Sequence, residues 1–334
     1  MSTIAFSLIA VMIAAYAMLD GYDLGVGAIM PFIARDERER GAVMAAIGPF
    51  WNGNEVWLVA AGGTLFALFP RAYASAFSGF YLPFMVVLWL LMFRGISIEL
   101  RNHKTNPLWR AFFDASFSVS SALLIVLFGI AVANLLRGVP LDEHAYFRGT
   151  FAFLLNPYAL GIGLFALIVL SLHGAIFLAT RTEDAVGERA LRVARTWWPI
   201  AALAYGAATI ATVIIHPLWS NFTAAPVLIA IPLVTFAGFA GTRIFTGFGR
   251  PHAAFAASSV FIGGLLLSAA VTLFPYLLTG YPDPATGLTV GSAAPPSSAL
   301  AVGSTVAIVG LAIVAVYTWV ARRNMRSARS RASA

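Results

Sequence analysis

The segment Trp51-Asn52-Gly53-Asn54-Glu55-Val56-Trp57 decides the fold. It interrupts an otherwise apolar run, Met44–Phe69, with two amides and a carboxylate. A hydrocarbon core about 30 Å thick takes roughly 20 apolar residues of helix. Eight other stretches reach that length: Ile4–Ile33, Ala74–Glu99, Phe113–Leu136, Phe151–Thr180, Trp198–Ile215, Pro226–Phe245, Ala254–Leu278 and Ser298–Val320. Without the polar stretch there are eight spans and both termini share a side. With it there are nine and the termini lie on opposite sides.

Charge decides between the two. With nine spans and the N-terminus outside, 18 of the 21 basic residues fall on the inner side, and only Arg71, Arg137 and Arg148 fall outside. Removing the second span moves every later loop to the other side and abolishes the bias. The net charge of +7 is therefore a topology signal and not a nucleic-acid footprint.

Composition agrees. Hydrophobic residues make up 60% of the 334, charged residues 10%, and the mean hydropathy is +0.85; a soluble domain carries about a quarter charged residues. The chain has no cysteine, which excludes disulfides, thiolate metal sites, iron–sulfur clusters and covalently attached haem. Met1-Ser2-Thr3-Ile4 lacks a basic leader region, so the first apolar stretch is expected to be a genuine span. The expectation is one all-α, polytopic domain over residues 1–334 with nine transmembrane helices, N-terminus outside and C-terminus inside. A basic tail, 321–334, is expected to be mobile and to face anionic headgroups. Thr279–Pro296, rich in Gly, Pro, Ser and Thr, reads as a surface loop.

A charge in hydrocarbon costs about 2.5–3.5 kcal/mol on insertion scales, so each intramembrane ionisable residue needs a reason. Asp20 and Asp23 lie three apart in the inner half of span 1, on one face with Tyr16 and Gly27. Asn52 and Glu55 share a face in span 2, with Asn54 beside them. Span 3 ends at Glu99, span 4 begins near Asp114, and span 5 carries His173 in its inner half. Carboxylates and an imidazole gathered toward one side of a membrane suit a proton relay. The plainer reading makes Asp20, Asp23 and Glu55 hydrogen-bonding glue or partners of Arg94 and Arg101, and makes Glu99 and Asp114 wetted interfacial charges. Gly21, Gly25 and Gly27 read as helix-packing positions rather than a nucleotide loop, since no strand precedes them. His173 is the one histidine well inside a span, so a bis-histidine haem has no second ligand at matching depth. No catalytic or metal site is expected in this chain, and a redox role requires a partner that supplies cofactors.

These residues also carry a resemblance. Asp20-Gly21-Tyr22-Asp23-Leu24-Gly25-Val26-Gly27 and the Trp51–Trp57 segment strongly resemble subunit II of the cytochrome bd-type quinol oxidases. So do Ala76–Tyr81, Phe93-Arg94-Gly95 with Glu99 to Arg101, Asn134–Pro140 and Leu172-His173-Gly174-Ala175. The N-terminal half carries the specific motifs, and the C-terminal half matches mainly in architecture.

The resemblance implies a nine-helix subunit of the bacterial cytoplasmic (inner) membrane. Its partner, subunit I, binds two haems b and one haem d and oxidises quinol while O2 is reduced to water. Subunit II supports haem assembly and contributes to proton delivery from the cytoplasm; some family members add a structural quinone or small single-span subunits. One position departs from the family pattern. The second-span motif often reads Trp-Asp-Gly-Asn, and Asn52 stands where that aspartate belongs to a proposed proton route. Glu55, where many relatives have Gln, lies one turn along the same face and is expected to supply the missing carboxylate. The competing function is a proton- or cation-coupled transporter, which would also place acids on several helices; the paired broken helices of that class are not evident in the later half. A structural membrane scaffold is the third reading.

Overall fold

The computed structural model describes residues 1–182, 185–216 and 219–332, with the side chains of 217–220, 318–319 and 321–332 outside that description. The chain folds as helices α1 (Ser2–Ile33), α2 (Glu37–Ile47), α3 (Trp51–Leu68), α4 (Pro70–Gly79), α5 (Tyr81–Leu100), α6 (Pro107–Arg137), α7 (Phe151–Leu154), α8 (Pro157–Ala179), α9 (Ala185–Ile215), α10 (Trp219–Ala224), α11 (Ala230–Gly247), α12 (Pro251–Leu273) and α13 (Ser297–Ala332). Among the described residues there are also three short 3-10 turns (Arg101–His103, Pro226–Ile229 and Pro284–Thr286) and one antiparallel strand pair, β1 (Tyr276–Leu278) and β2 (Leu288–Thr289). Among the described residues eight helices are long and apolar enough to cross a membrane. The chain is an all-α polytopic membrane protein. α3 falls short of that apolarity because Asn52, Asn54 and Glu55 occupy its first turns, yet it packs along α1 as the long helices do.

Several expected spans are redrawn. Met44–Phe69 is not one helix: Gly48-Pro49-Phe50 separates α2 from α3, because Pro49 lacks the amide that would continue the hydrogen-bond ladder of α2. Ala74–Glu99 is divided at Phe80, and Phe151–Thr180 at Leu155-Asn156, where the Asn156 side chain accepts from the Ala159 amide (3.0 Å) and starts α8 afresh. The helix expected at Trp198–Ile215 begins thirteen residues earlier, at Ala185. Ala254–Leu278 ends as helix at Leu273, and its last three residues are β1. The tail continues α13 as helix through Ala332; residues 333–334 lie outside the described set.

α1 is the axis of the bundle, packed against α3, α6, α8 and α12. Its approach to α8 is backbone to backbone: a Cβ on Gly25 would collide with the Leu170 carbonyl, and one on Gly174 with the backbone of Gly25 and Val26. Ser121 occupies the space beside Gly27, and the Leu170 side chain lies 3.0 Å from where a Cβ of Gly21 would be.

The two ends of the bundle differ. At the hairpin end, β1 and β2 pair over the start of α1, and Val139 bridges to Gly280. The Arg137 guanidinium there packs against both the Phe153 ring (4.6 Å) and the Tyr281 ring (4.8 Å). Asp142, in the loop after α6, accepts from the amides of Tyr146 and His144 and from Arg148, which holds its carboxyl below the usual range. At the basic end, Asp36 caps α2 by accepting from the Glu39 amide (2.8 Å), and Glu39 returns the bond to the Arg35 amide (2.7 Å). Arg189 of α9 pairs with Glu39 (2.5 Å) and donates to the Ile33 carbonyl (2.9 Å). With these contacts Arg189, then the Arg35 amide, hold the Glu39 carboxyl below its ordinary value.

Candidate functional site

Three helices bring charge into the core of the bundle. Arg94, in the middle of α5, is fully buried. Its Nη2 donates to Asp20 Oδ1 (2.5 Å) and its Nη1 to Asp20 Oδ2 (3.0 Å), a two-pronged pair across α1 and α5. The same Nη1 reaches Glu55 Oε1 on α3 (3.0 Å). Asp20 is fully buried, and the Glu55 side chain keeps 26% of its exposure. One guanidinium thus serves two carboxylates. The set can carry one proton without leaving a charge unpaired.

One turn further along α1, the Asn54 amide nitrogen lies 2.7 Å from Asp23 Oδ2, 2.8 Å from the Tyr22 hydroxyl and 3.1 Å from the Leu19 carbonyl. α3 is therefore tied to α1 directly through Asn54, and to α5 through Glu55. The stretch that breaks its hydropathy is the stretch that docks it.

The remaining expected residues separate into other settings. Asn52 is exposed on α3 and takes no part in the hydrogen bonds that Arg94 makes to Asp20 and Glu55. Glu99 is exposed near the end of α5. Asp114 pairs with Arg101 through Nε (2.5 Å) and Nη2 (3.2 Å), and Arg101 also reaches Glu37 (3.1 Å), which Arg110 holds at 2.9 Å. That network fastens α2 to the α5–α6 turn. His173 is fully buried and stacked on Phe255 (4.8 Å, 7°). Its Nε2 lies 3.1 Å from the Met18 carbonyl and its Nδ1 2.7 Å from Ser258 Oγ. A carbonyl can only accept, so Nε2 carries a hydrogen, and both ring nitrogens are engaged.

Arg94 is the hub of the buried cluster, pairing with Asp20 and Glu55 as the plainer reading of the sequence allowed. The signal was present, since an arginine inside Leu88–Ile98 needs a carboxylate at its own depth. Among the described residues no group of three or more His, Cys, Asp or Glu could hold a metal ion.

Comparison with known proteins covers nearly the whole chain. Residues 1–325 match the family described as cytochrome bd terminal oxidase subunit II. The chain belongs to that family. Cytochrome bd-I ubiquinol oxidase subunit 2 of Escherichia coli (strain K12) is 32% identical over 345 residues, covering 93% of this chain and 90% of that one. Cytochrome bd ubiquinol oxidase subunit 2 of Bacillus subtilis (strain 168) is 34% identical over 190 residues, covering 57% and 56%. The solved bd oxidase of Geobacillus thermodenitrificans shares the fold, with a TM-score of 0.78 at 17% identity over 97% of this chain and 98% of that one. This subunit II is thus a component of a terminal oxidase, an oxidoreductase complex of a respiratory chain.

Proposed function

We propose that this chain is the haem-free half of a quinol-oxidising, O2-reducing bd oxidase, which braces a haem-bearing subunit I and passes protons to it from the cytoplasm. The observation that carries this reading is the Asp20–Arg94–Glu55 cluster opening at Glu55 toward an uncovered face. On α3 the exposed positions Asn52, Val56, Val59 and Phe66 fall at helical spacing on one stripe. On α5 the exposed stripe Leu82, Val86, Trp89, Phe93 and Ile96 ends near Glu99. Lipid does not accept an amide and two carboxylates along such a face; a protein partner does. Subunit I is that partner. Protons enter at Glu99, reach Glu55 beside Arg94, and leave toward the haems. Asp20 and Asp23 hold the carboxylate set in place, while Asp114 and His173 stand outside the route.

Two features support placing haems b and d in subunit I. His173 has both ring nitrogens committed to internal bonds, and the other histidines lie outside the apolar core of the helices. A structural quinone and small single-span subunits are compatible additions to the complex. We further infer nine spans in the inner membrane, α3 among them, with the basic end cytoplasmic and the hairpin end outside. Support comes from the helical, α1-packed course of α3 and from the gathering of Arg101, Arg110, Arg181 and Arg189 at one end.

The test is Glu55→Gln in the assembled oxidase. The expected outcome is O2 consumption slowed by about tenfold or more, with unchanged haem absorption spectra. Wild-type turnover would overturn the route through Glu55. Loss of haem together with activity would show that Glu55 acts structurally.

A further inference from the structure

At 31 residues α9 is about 46 Å long, well beyond a hydrocarbon core of about 30 Å. The excess lies at the basic end, where Arg189, Arg192 and Arg195 precede Trp197 and Trp198, the first residues of the apolar run. Arg189 is consumed by Glu39 and the Ile33 carbonyl. Arg195 leans onto the neighbouring hairpin: its Nε donates to the Thr246 carbonyl (2.8 Å), and its Nη2 lies 3.9 Å from where a Cβ of Gly249 would be. From α11, Arg243 folds its Nη1 to 3.3 Å from the Cβ position of Gly247. Arg250 begins α12 immediately after the turn.

Arg195 of α9 and Arg243 of α11 thus bring guanidinium groups to one turn, 247–250, in which Arg250 itself stands. Arg192 adds a fourth, one helical turn along α9 from Arg195. All four are exposed, and among the described residues none pairs with a carboxylate. Such a set of like charges repels itself until an anion sits among it. The adjoining surface is equally specific. Phe248 at the turn is 72% exposed, and neither α9 from Trp197 to Ile215 nor α11 from Ala230 to Thr242 contains an acidic, basic or amide side chain. The face of α3 and α5, by contrast, exposes Asn52, Glu55 and Glu99. The α9–α11 face is made for acyl chains.

We propose that Arg192, Arg195, Arg243 and Arg250 seat the headgroup of an anionic phospholipid, with its acyl chains along α9 and α11. Phosphate oxygens take the guanidinium forks, and the glycines at 247 and 249 leave the turn open to the headgroup. The seat lies away from the α3–α5 face proposed for subunit I.

Native mass spectrometry of the delipidated, purified oxidase tests this, with added cardiolipin, phosphatidylglycerol or phosphatidylcholine. The wild type should retain cardiolipin or phosphatidylglycerol over phosphatidylcholine. Arg195→Gln/Arg243→Gln/Arg250→Gln should lower that retention by about tenfold or more, while Arg148→Gln at the hairpin end leaves it unchanged. Should the triple variant fail to assemble, Arg243→Gln alone carries the test, since the Arg243 side chain makes no internal hydrogen bond or ion pair among the described residues. Equal retention of phosphatidylcholine, or unchanged retention by the variants, overturns the proposal. So does displacement of the lipid by millimolar inorganic phosphate, or a co-purifying protein lost with the arginines.

Discussion

Arg94 is worth most when its neighbours are considered as charges with nowhere else to go. Replacing it by Gln leaves Asp20 buried without a counter-charge, a change that costs about 3–5 kcal/mol in comparable buried pairs. Thermal unfolding of the assembled complex should therefore fall sharply for Arg94→Gln. Arg94→Lys should recover only part of the loss, because an ammonium cannot span both Asp20 oxygens and Glu55. Arg94→Gln with Asp20→Asn should unfold at a higher temperature than Arg94→Gln alone; a double variant as unstable as the sum of the singles would dissolve the pair. Asp20 and Glu55 were legible as unusual because their cost in lipid is a property of the residue. Their shared partner was legible only as one of two candidates, Arg94 and Arg101, because depth along a helix does not say which face another helix presents. Asn52 shares the α3 face of Glu55 by its three-residue spacing and is exposed there, outside the hydrogen bonds of Arg94.

At the scale of elements, the α1–α8 crossing depends on glycines that allow backbone contact. Gly25→Ala and Gly174→Ala should each destabilise the complex by about 1–3 kcal/mol, read as a lower unfolding temperature. Gly161→Ala, on the same α8 but with nothing within 4 Å of its Cβ position, should be neutral or slightly stabilising. If all three behaved alike, close packing would not be the function of Gly25. The glycine pattern in α1 was readable as helix packing, but the partner helix was not. Breaks within spans were harder still. Pro49 and Asn156 sit in runs whose average hydropathy hides them, and the extra turns of α9 are charged and so invisible to a hydropathy window. β1 was read as the end of a span because Tyr276-Leu277-Leu278 is apolar, and only its pairing with Leu288-Thr289 distinguishes it.

For the whole molecule, the absence of cysteine makes sidedness directly measurable. With the hairpin end outside, Glu143→Cys should react with a membrane-impermeant thiol reagent on intact cells. Thr105→Cys should react only after permeabilisation. The reverse pattern would invert the orientation. The class of the molecule was legible from bulk quantities, because a chain with so little charge has no other solvent than lipid. The basic bias survives the relocation of Arg94, since the other basic residues keep their loops or helix ends.

The Arg94 cluster also has a history in time. Asp20 and Arg94 are 74 residues apart, so at a synthesis rate of about 5–20 residues per second the acid emerges several seconds before its counter-charge. During that interval α1 holds two carboxylates with no cation at their depth. α1 is therefore expected to gain a firm hold in the bilayer only once α5 has been made, so chains truncated before Arg94 should release α1 to alkaline extraction more readily than chains truncated after Arg101.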